Sequence, residues 1–130
     1  MAVRIARLGW EKKAENISVL DVSSLTDYTD FFVILTGNID QQLRAIHGHI
    51  EDTLKSEGVR PHHVEGGQTL SWILMDYIDV VVHIFLPQNR EFYNLESLWG
   101  EARQVPVDFD GDADLQSEGA PSGVSSTNYP

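Results

Sequence analysis

Residues 71–86 alternate between two kinds of side chain, and this alternation predicts two antiparallel strands that turn at Tyr77 and Ile78. In the expected register, Asp76 pairs with Asp79. One face is then entirely apolar and carries Ile73, Met75, Val80, Val82 and Ile84. The other face mixes apolar, aromatic, acidic and imidazole groups, namely Trp72, Leu74, Asp76, Asp79, Val81, His83 and Phe85. We expect the apolar face to close the core and the mixed face to carry the function.

Apolar patterning elsewhere predicts the elements that surround this hairpin. Residues 3–15 repeat apolar positions at helical spacing, whereas residues 17–22 and 31–36 are short β-branched runs typical of strands. The second run is almost continuously apolar, which indicates a central strand covered on both faces. A short extended stretch at residues 63–66 and a short helix at residues 95–99 complete the pattern. The clearest helix has an apolar stripe at spacings of three and four residues. The stripe comprises Ile39, Leu43, Ile46, Ile50 and Leu54.

In order, these elements are helix, strand, strand, helix, three strands and helix, which predicts a single α/β (α+β) domain. We expect a mixed sheet of about five strands with flanking helices. From residue 104 onward the composition shifts to Gly, Ser, Pro and Asp, with no Lys or Arg. Such a segment offers too little apolar surface to order itself. We therefore expect a domain over residues 1–103 and a disordered acidic tail over residues 104–130.

Charge and composition narrow the class of partner. Twenty Asp and Glu residues against nine Lys and Arg give a net charge of -11 in a chain of 130 residues. Such a surface repels nucleic acid and favours a neutral or basic partner such as a basic protein, although acid for solubility alone explains the charge equally well. The absence of cysteine excludes disulfides and thiolate chemistry. No apolar run approaches the ~18 residues of a membrane helix, and the first residues lack the apolar segment of a signal peptide, so we expect a soluble intracellular protein.

The histidines lack the spacing of a metal site. His47 and His49 are two residues apart on the predicted long helix and therefore point in different directions, whereas helical ligand pairs need spacings of three or four. His83 shares a strand face with Trp72. We expect a hydrogen-bonded structural histidine beside this tryptophan rather than a catalytic one.

Two carboxylates bracket the turn of the hairpin. Asp76 and Asp79 stand where aspartate is common, because its side chain accepts hydrogen bonds from nearby backbone N–H groups. As an acid/base or metal pair they lack a third partner. The sequence also has no nucleophile elbow and no Gly-rich phosphate loop. We therefore expect no catalytic residues, no cofactor and no bound metal.

Aromatic residues gather in and just after the hairpin. Trp72, Arg90 and Tyr93 belong to the residue types that are enriched at the energetic centres of protein interfaces. Phe92 and Trp99 are seven residues apart, which favours the alternative that both lie on the core side of the last helix. The pattern indicates a protein-binding surface that includes Trp72.

Three motifs give the chain a family resemblance. They are TDFFVILTG at residues 29–37, W-x-L-x-D-Y-x-D-x-V-V-H at residues 72–83 and R-x-F-Y-x-L-E-x-L-W-G at residues 90–100. In this order and register the chain resembles the Iojap family of ribosomal silencing factors over roughly residues 3–103. The resemblance implies a nucleotidyltransferase-like fold that lacks the catalytic motif.

The resemblance also implies a function. It implies docking on the large ribosomal subunit through large-subunit ribosomal protein fourteen, where the protein sterically blocks subunit joining and represses translation without a cofactor. It further implies a homodimer off the ribosome, while the charge and the apolar runs already lead us to expect little direct nucleic-acid contact and no membrane. We expect a bacterial cytoplasmic location, with an organellar one as the alternative. The positions that match the family's contact or contact-shaping residues are Trp72, Leu74, Asp76, Tyr77, Asp79 and His83, with Arg90, Tyr93 and Glu96 as second choices.

Two alternatives and one departure from the family stay open. The alternatives are a homodimerisation or assembly module in large-subunit biogenesis and a residual nucleotidyltransferase. A nucleotidyltransferase needs Gly-Ser or Gly-Gly opening a helix and an Asp-x-Asp strand for two metal ions, whereas this chain has Gly37 and Asn38 there, and its nearby acidic pair is spaced differently. The departure is Ile78, where many family members have glycine. Because an isoleucine is strained in a tight two-residue turn, its presence favours a longer loop.

Overall fold

The computed structural model describes residues 1–66 and 71–109, which fold around one six-stranded sheet. In chain order the elements are α1 (Ala2–Glu11), β1 (Glu15–Asp21), β2 (Phe31–Thr36), α2 (Asp40–Ser56), β3 (His63–Glu65), β4 (Trp72–Asp76), β5 (Val80–Phe85), α3 (Pro87–Tyr93), α4 (Leu95–Leu98) and β6 (Arg103–Gln104). The expected helices and strands are all present. The pattern did not predict α3, whose first residue is Pro87. Proline suits this position because its φ is fixed near the helical value and its missing N–H would have no partner there.

The strands follow the order β3-β4-β5-β2-β1-β6 across the sheet. β2 and β5 run parallel at the centre, whereas the other neighbouring pairs are antiparallel. The prediction of a mixed sheet in an α+β domain is confirmed, and β2 is almost entirely buried, as its apolar run indicates. The sixth strand, beyond the expected five, is β6, which pairs with the edge of β1 over only two residues.

The two faces of the sheet carry separate apolar clusters. On one face, α1 and α2 cover the main core, where the stripe of the long helix packs with the apolar face of the hairpin. Ile39 is the exception in that stripe, because it precedes α2 as the N-cap residue and is exposed. The opposite face holds a smaller cluster of Leu20, Val22, Phe32, Ile34, Val81 and Phe85. Only partly buried residues pack over this second cluster, among them Trp72, Leu74, Leu95 and Trp99. Apolar surface therefore stays accessible on the second face.

The register of the hairpin differs from the expected one. Asp76 pairs with Val81 instead of Asp79, a shift of two residues along β5. The backbone N–H of Tyr77 donates to the carbonyl of Val80 at 2.8 Å, so the turn lies at Ile78 and Asp79 and is no longer than two residues. The expected pairing, and the longer loop that Ile78 favours, are both wrong. Each face keeps its predicted residues because a shift of two equals the period of a strand.

The chain continues to pack against the domain beyond residue 103, where we expected the tail to begin. The N–H of Val105 donates to the carbonyl of Val19 at 2.8 Å. Val107 is buried in the main core, and the ring of Phe109 stacks on Trp10 with centroids 5.7 Å apart. Residues 104–109 are therefore part of the packed structure. The rest of the expected tail, residues 110–130, lies outside the described residues.

Candidate protein-docking surface

The second face of the sheet is where the predicted site residues of β4 lie. Strand alternation turns Ile73 and Met75 into the main core and leaves Trp72, Leu74 and Asp76 on the opposite face, half-buried. These three are only partly covered. Arg90 of α3 and Glu96 of α4 hydrogen-bond instead to Thr36 of β2 and Ser18 of β1. Tyr93, at the end of α3, stacks beside them and is exposed. We name Trp72, Leu74 and Tyr93 the docking face, with Asp76 at its border.

Trp72 is held in one orientation by its neighbours. Its ring lies 5.0 Å from that of Phe85 and 4.6 Å from that of Tyr93, measured between centroids. Its indole Nε1 donates to Nδ1 of His83 at 3.2 Å. Since the N–H group is used internally, Trp72 presents the carbon surface of its ring to the outside. The outward surface of Trp72 is therefore suited to apolar or aromatic contacts rather than to donating a hydrogen bond.

His83 supports this surface from below and does not reach it. The residue is 6% exposed and packs edge-on against Phe32 and face-on against Phe85. Because Nδ1 accepts from Trp72, the ring proton is on Nε2, which is buried without a hydrogen-bond partner among the described residues. Burial lowers the pKa of His83 to about 4, so the ring is neutral at pH 7. The expectation of a structural histidine hydrogen-bonded beside Trp72 is confirmed.

Arg90 and Glu96 form an internal network between the helices and the sheet. The Arg90 guanidinium donates to Oγ1 of Thr36 at 2.8 Å and to Oγ of Ser18 at 3.2 Å, and it forms an ion pair with Glu96. Oγ of Ser18 donates in turn to Glu96 at 3.2 Å. These contacts fasten α3 and α4 to β1 and β2, and thereby position Tyr93. A hydroxyl residue on an otherwise apolar strand face, such as Thr36 beyond Phe32 and Ile34 in β2, is the sequence signal for such a buried polar partner.

The turn residues Asp76 and Asp79 serve the backbone. Oδ1 of Asp76 accepts from the N–H of Ile78 at 2.8 Å, as the turn interpretation predicts. The carboxylate of Asp79 is exposed, while its carbonyl accepts from the N–H groups of Asp30 and Phe31, both at 3.1 Å. The two carboxylates therefore border the docking face at the turn of the hairpin.

Tyr77 is the predicted site residue that lies apart from the others. Its ring is buried in the main core, on the face opposite Trp72. Burial, and to a lesser extent the charge of Glu51, raises the pKa of Tyr77 to about 12. The structure therefore does not bring Tyr77 to the surface that the other residues form. Phe92, which spacing placed in the core, is 79% exposed and contacts Tyr93 edge-on, so that expectation is wrong.

Residues with metal-binding side chains are scattered in the part of the chain that the structure describes. No group of three or more His, Asp or Glu residues there has the geometry of a metal site. Over residues 1–66 and 71–109, no helix combines the length and apolarity needed to cross a bilayer. The arrangement of Trp72, Leu74 and Tyr93 offers a rigid aromatic surface bordered by carboxylates, which suits binding to another protein.

Comparisons with known proteins agree with this fold and these motifs. A family model described as ribosomal silencing factor during starvation matches residues 1–128. The chain is 40% identical over 99 residues to the ribosomal silencing factor RsfS of Bacillus subtilis. The aligned region covers 76% of this chain and 84% of that relative. It is 43% identical over 111 residues to the chloroplastic protein Iojap of Zea mays, covering 84% of this chain and 47% of that one.

A further relative and a solved structure extend the match. The Mus musculus protein named mitochondrial assembly of ribosomal large subunit protein 1 is 34% identical over 92 residues, covering 68% of this chain and 40% of that one. A crystal structure of a Chromobacterium violaceum protein matches with a TM-score of 0.73 and 34% identity, covering 76% of this chain and 83% of that chain. With its fold, its motifs and a family model over nearly its whole length, the chain belongs to the ribosomal silencing factor family.

Proposed function

We propose that this protein is a regulatory factor that binds the large ribosomal subunit and prevents the small subunit from joining, which represses translation. The docking face meets large-subunit ribosomal protein fourteen, the partner that the family resemblance implies. The mechanism is steric occlusion, so the protein performs no reaction and needs no cofactor. The half-buried ring of Trp72, locked against Tyr93 and His83, is the observation that carries this proposal.

A locked aromatic group is well suited to bind a protein. Interface energy concentrates in a few Trp, Tyr and Arg residues, and truncating one of them commonly costs about 2 kcal/mol or more. A side chain already fixed in its bound orientation loses little conformational entropy on association. Trp72 is fixed by two rings and one hydrogen bond, and Leu74 lies beside it on the same strand face.

Charge supports a protein partner with a basic surface. The net charge of -11 repels ribosomal RNA and attracts basic ribosomal proteins, which raises the rate of encounter with the latter. Asp76 and Asp79 stand at the border of the docking face, where they can meet basic side chains of the partner. We therefore place the direct contact on protein rather than on RNA.

A second candidate function is assembly of the large subunit, with a homodimer off the ribosome. The mouse relative is named for assembly of the mitochondrial large subunit, and it favours this candidate. A second copy of the chain is the other occupant that suits an apolar face such as that of Trp72 and Tyr93. Both functions use the large subunit, but only the first predicts a direct effect on the joining of finished subunits.

Sedimentation with purified ribosomal subunits tests the main proposal. The protein should co-sediment with the large subunit and hold the two subunits apart in a sucrose gradient. Trp72→Ala should weaken binding about thirtyfold and let the subunits join. Trp10→Ala is the matched control, because Trp10 is also partly exposed but lies on α1, on the other face of the sheet. Thermal unfolding of each variant confirms that it is folded.

Two results would contradict the proposal. The first is a wild-type protein that sediments without any large subunit. The second is a wild-type protein that binds the large subunit and still allows the subunits to join, which would favour the assembly function. If Trp72→Ala abolishes self-association in sedimentation equilibrium and leaves subunit binding intact, the docking face is a dimer interface instead.

A further inference from the structure

Ile78 occupies a backbone conformation that is unfavourable for its side chain. Its φ is +76°, in the left-handed region. Among the described residues the other non-glycine positions with positive φ are Lys13, Asn16 and Asn94. Asparagine tolerates this region, whereas a β-branched residue there is a genuine outlier because its Cβ substituents crowd the backbone. Ile78 is therefore the most strained of these four positions.

The turn that holds Ile78 is firmly hydrogen-bonded. The N–H of Asp79 donates to the carbonyl of Tyr77 at 2.9 Å, which closes a three-residue γ-turn with Ile78 at its centre. The carboxylate of Asp76 accepts a hydrogen bond from the N–H of Ile78. The carbonyl of Asp79 accepts two more, from the N–H groups of Asp30, just before β2, and Phe31, its first residue. The strained conformation is thus imposed by contacts on both sides of Ile78.

The side chain of Ile78 points away from the protein. It is 56% exposed, so burial of the side chain does not compensate for the strain. Phe92 and Leu98 are more exposed than Ile78, so exposure alone does not distinguish it. Those two residues lie in helices, however, and have ordinary backbone angles. At Ile78 the chain combines an exposed apolar group with a conformation that glycine would adopt without cost.

The position of Ile78 connects it to the docking face. It follows Asp76 by two residues at the end of β4, the strand that carries Trp72 and Leu74. The exposed Asp79 adjoins it. An apolar side chain beside carboxylates is complementary to a basic protein surface that has an apolar depression.

We propose that Ile78 is an anchor that extends the docking face and contributes to specificity, by inserting into an apolar pocket of the same basic ribosomal protein, with Asp79 facing basic side chains at its border. This inference rests on the proposed function. The strain at Ile78 is maintained because it holds the anchor outward in one orientation, ready for the partner. Removal of the anchor should therefore change stability and affinity in opposite directions.

Ile78→Gly is the decisive variant. Glycine relieves the strain, so the unfolding temperature should rise by about 3–6 °C. Affinity for the purified large subunit should fall about tenfold, because the apolar contact is lost. A residue with a purely structural role would not improve stability while weakening binding. Asparagine also tolerates positive φ but is polar, so Ile78→Asn should weaken binding to a similar extent. This variant separates the loss of the apolar group from the added flexibility of glycine.

Ile39→Gly is the matched control. Ile39 is 58% exposed and has ordinary extended backbone angles. It follows the end of β2 that is far from the turn, since the other end of β2 pairs with Val80. Its replacement should leave affinity unchanged. Because glycine is a better N-cap residue than isoleucine, the unfolding temperature can rise here too, so only affinity is compared between the two variants. The comparison therefore removes any general effect of deleting an exposed isoleucine.

The outcomes separate the two proposals. If the wild type binds the large subunit and either Ile78 variant binds equally well, the anchor is wrong and the proposed function stands. If Ile78→Gly is no more stable than the wild type, the strain has no energetic weight and the anchor is wrong as well. If the wild type does not bind the large subunit, the proposed function fails and the anchor fails with it.

Discussion

Nε1 of Trp72 donates a hydrogen bond of 3.2 Å to Nδ1 of His83, and through this bond a buried histidine helps to fix the orientation of a half-buried tryptophan. The two residues lie diagonally across β4 and β5, since Trp72 pairs with Phe85 and Leu74 pairs with His83. Their motif positions therefore have different roles. Trp72 lies on the second face of the sheet, where we propose the contact, and His83 helps to fix its orientation.

His83→Phe should loosen Trp72 without unfolding the protein. The aromatic packing is largely kept, but the indole N–H loses its acceptor, which costs about 1 kcal/mol of stability. We expect about fivefold weaker binding to the large subunit and a shifted tryptophan fluorescence spectrum. His49→Ala, on α2 under the other face, is the control and should change neither. Unchanged affinity for His83→Phe would show that the hydrogen bond does not position Trp72 for binding.

Acid should destabilise the protein through His83. Its pKa is about 4 in the folded state and 6.5 ordinarily, so between these values the unfolded chain binds a proton that the folded chain does not. The contribution of neutral His83 is complete above pH 6.5 and is lost as pH falls toward 4. The full difference is on the order of 3 kcal/mol. Urea unfolding at pH 7.5, 6 and 5 measures it, and His83→Phe should show a smaller loss over the same range. Equal losses in both proteins would contradict this assignment.

Breaking the ion pair between Arg90 and Glu96 should cost stability, and the costs of the two single substitutions should not add. Arg90→Met or Glu96→Gln removes one member of the pair and leaves the other partly buried without its partner. Each should lower the free energy of unfolding by about 2 kcal/mol, a value discounted for partial exposure. The double variant Arg90→Met with Glu96→Gln should be less destabilised than the sum of the two single variants. Urea unfolding of all four proteins gives the coupling directly. Additive effects would show that the two residues do not act as a pair.

Two glycines in helices should respond to alanine with opposite signs. A methyl group at Gly48 of α2 meets no atom within 4 Å, so Gly48→Ala should stabilise the protein by about 1 kcal/mol through helix propensity. At Gly9 of α1 a methyl group would lie 2.8 Å from Cδ1 of Leu35, so Gly9→Ala should destabilise it because the core must shift. Thermal unfolding distinguishes the two. Stabilisation by both substitutions would contradict the close packing of α1 on β2.

Truncated chains should show which residues after β6 contribute to the stability of the domain. A chain that ends at residue 109 keeps the stacking of Phe109 on Trp10 and the buried Val107, and should unfold at nearly the same temperature as the full chain. A chain that ends at residue 103 loses both, at about 2–3 kcal/mol from the lost burial of Val107 and its neighbours. Equal stability of the two truncated chains would show that residues 104–109 contribute nothing.

Periodicity in the sequence determined the elements and their faces, because a strand repeats every two residues and a helix every 3.6 whatever surrounds them. The apolar face of the hairpin, the buried run of β2 and most of the stripe of α2 are visible for this reason. The same periodicity kept the faces correct even though the register of β4 and β5 was wrong. It also distinguished the mixed face of the hairpin, which carries Trp72, from the apolar face.

Only the tertiary structure decided which residues of the motif reach the surface, because that depends on contacts between positions far apart in the chain. Arg90 meets Thr36 and Ser18 across 54 and 72 residues, and no local pattern specifies such a meeting. Tyr77 stands between two aspartates in the sequence but is buried in the opposite core. Ile78 favoured a longer loop in the sequence, whereas its exposed position with positive φ in a tight turn follows only from the hydrogen bonds that Asp76 and Asp79 make around it.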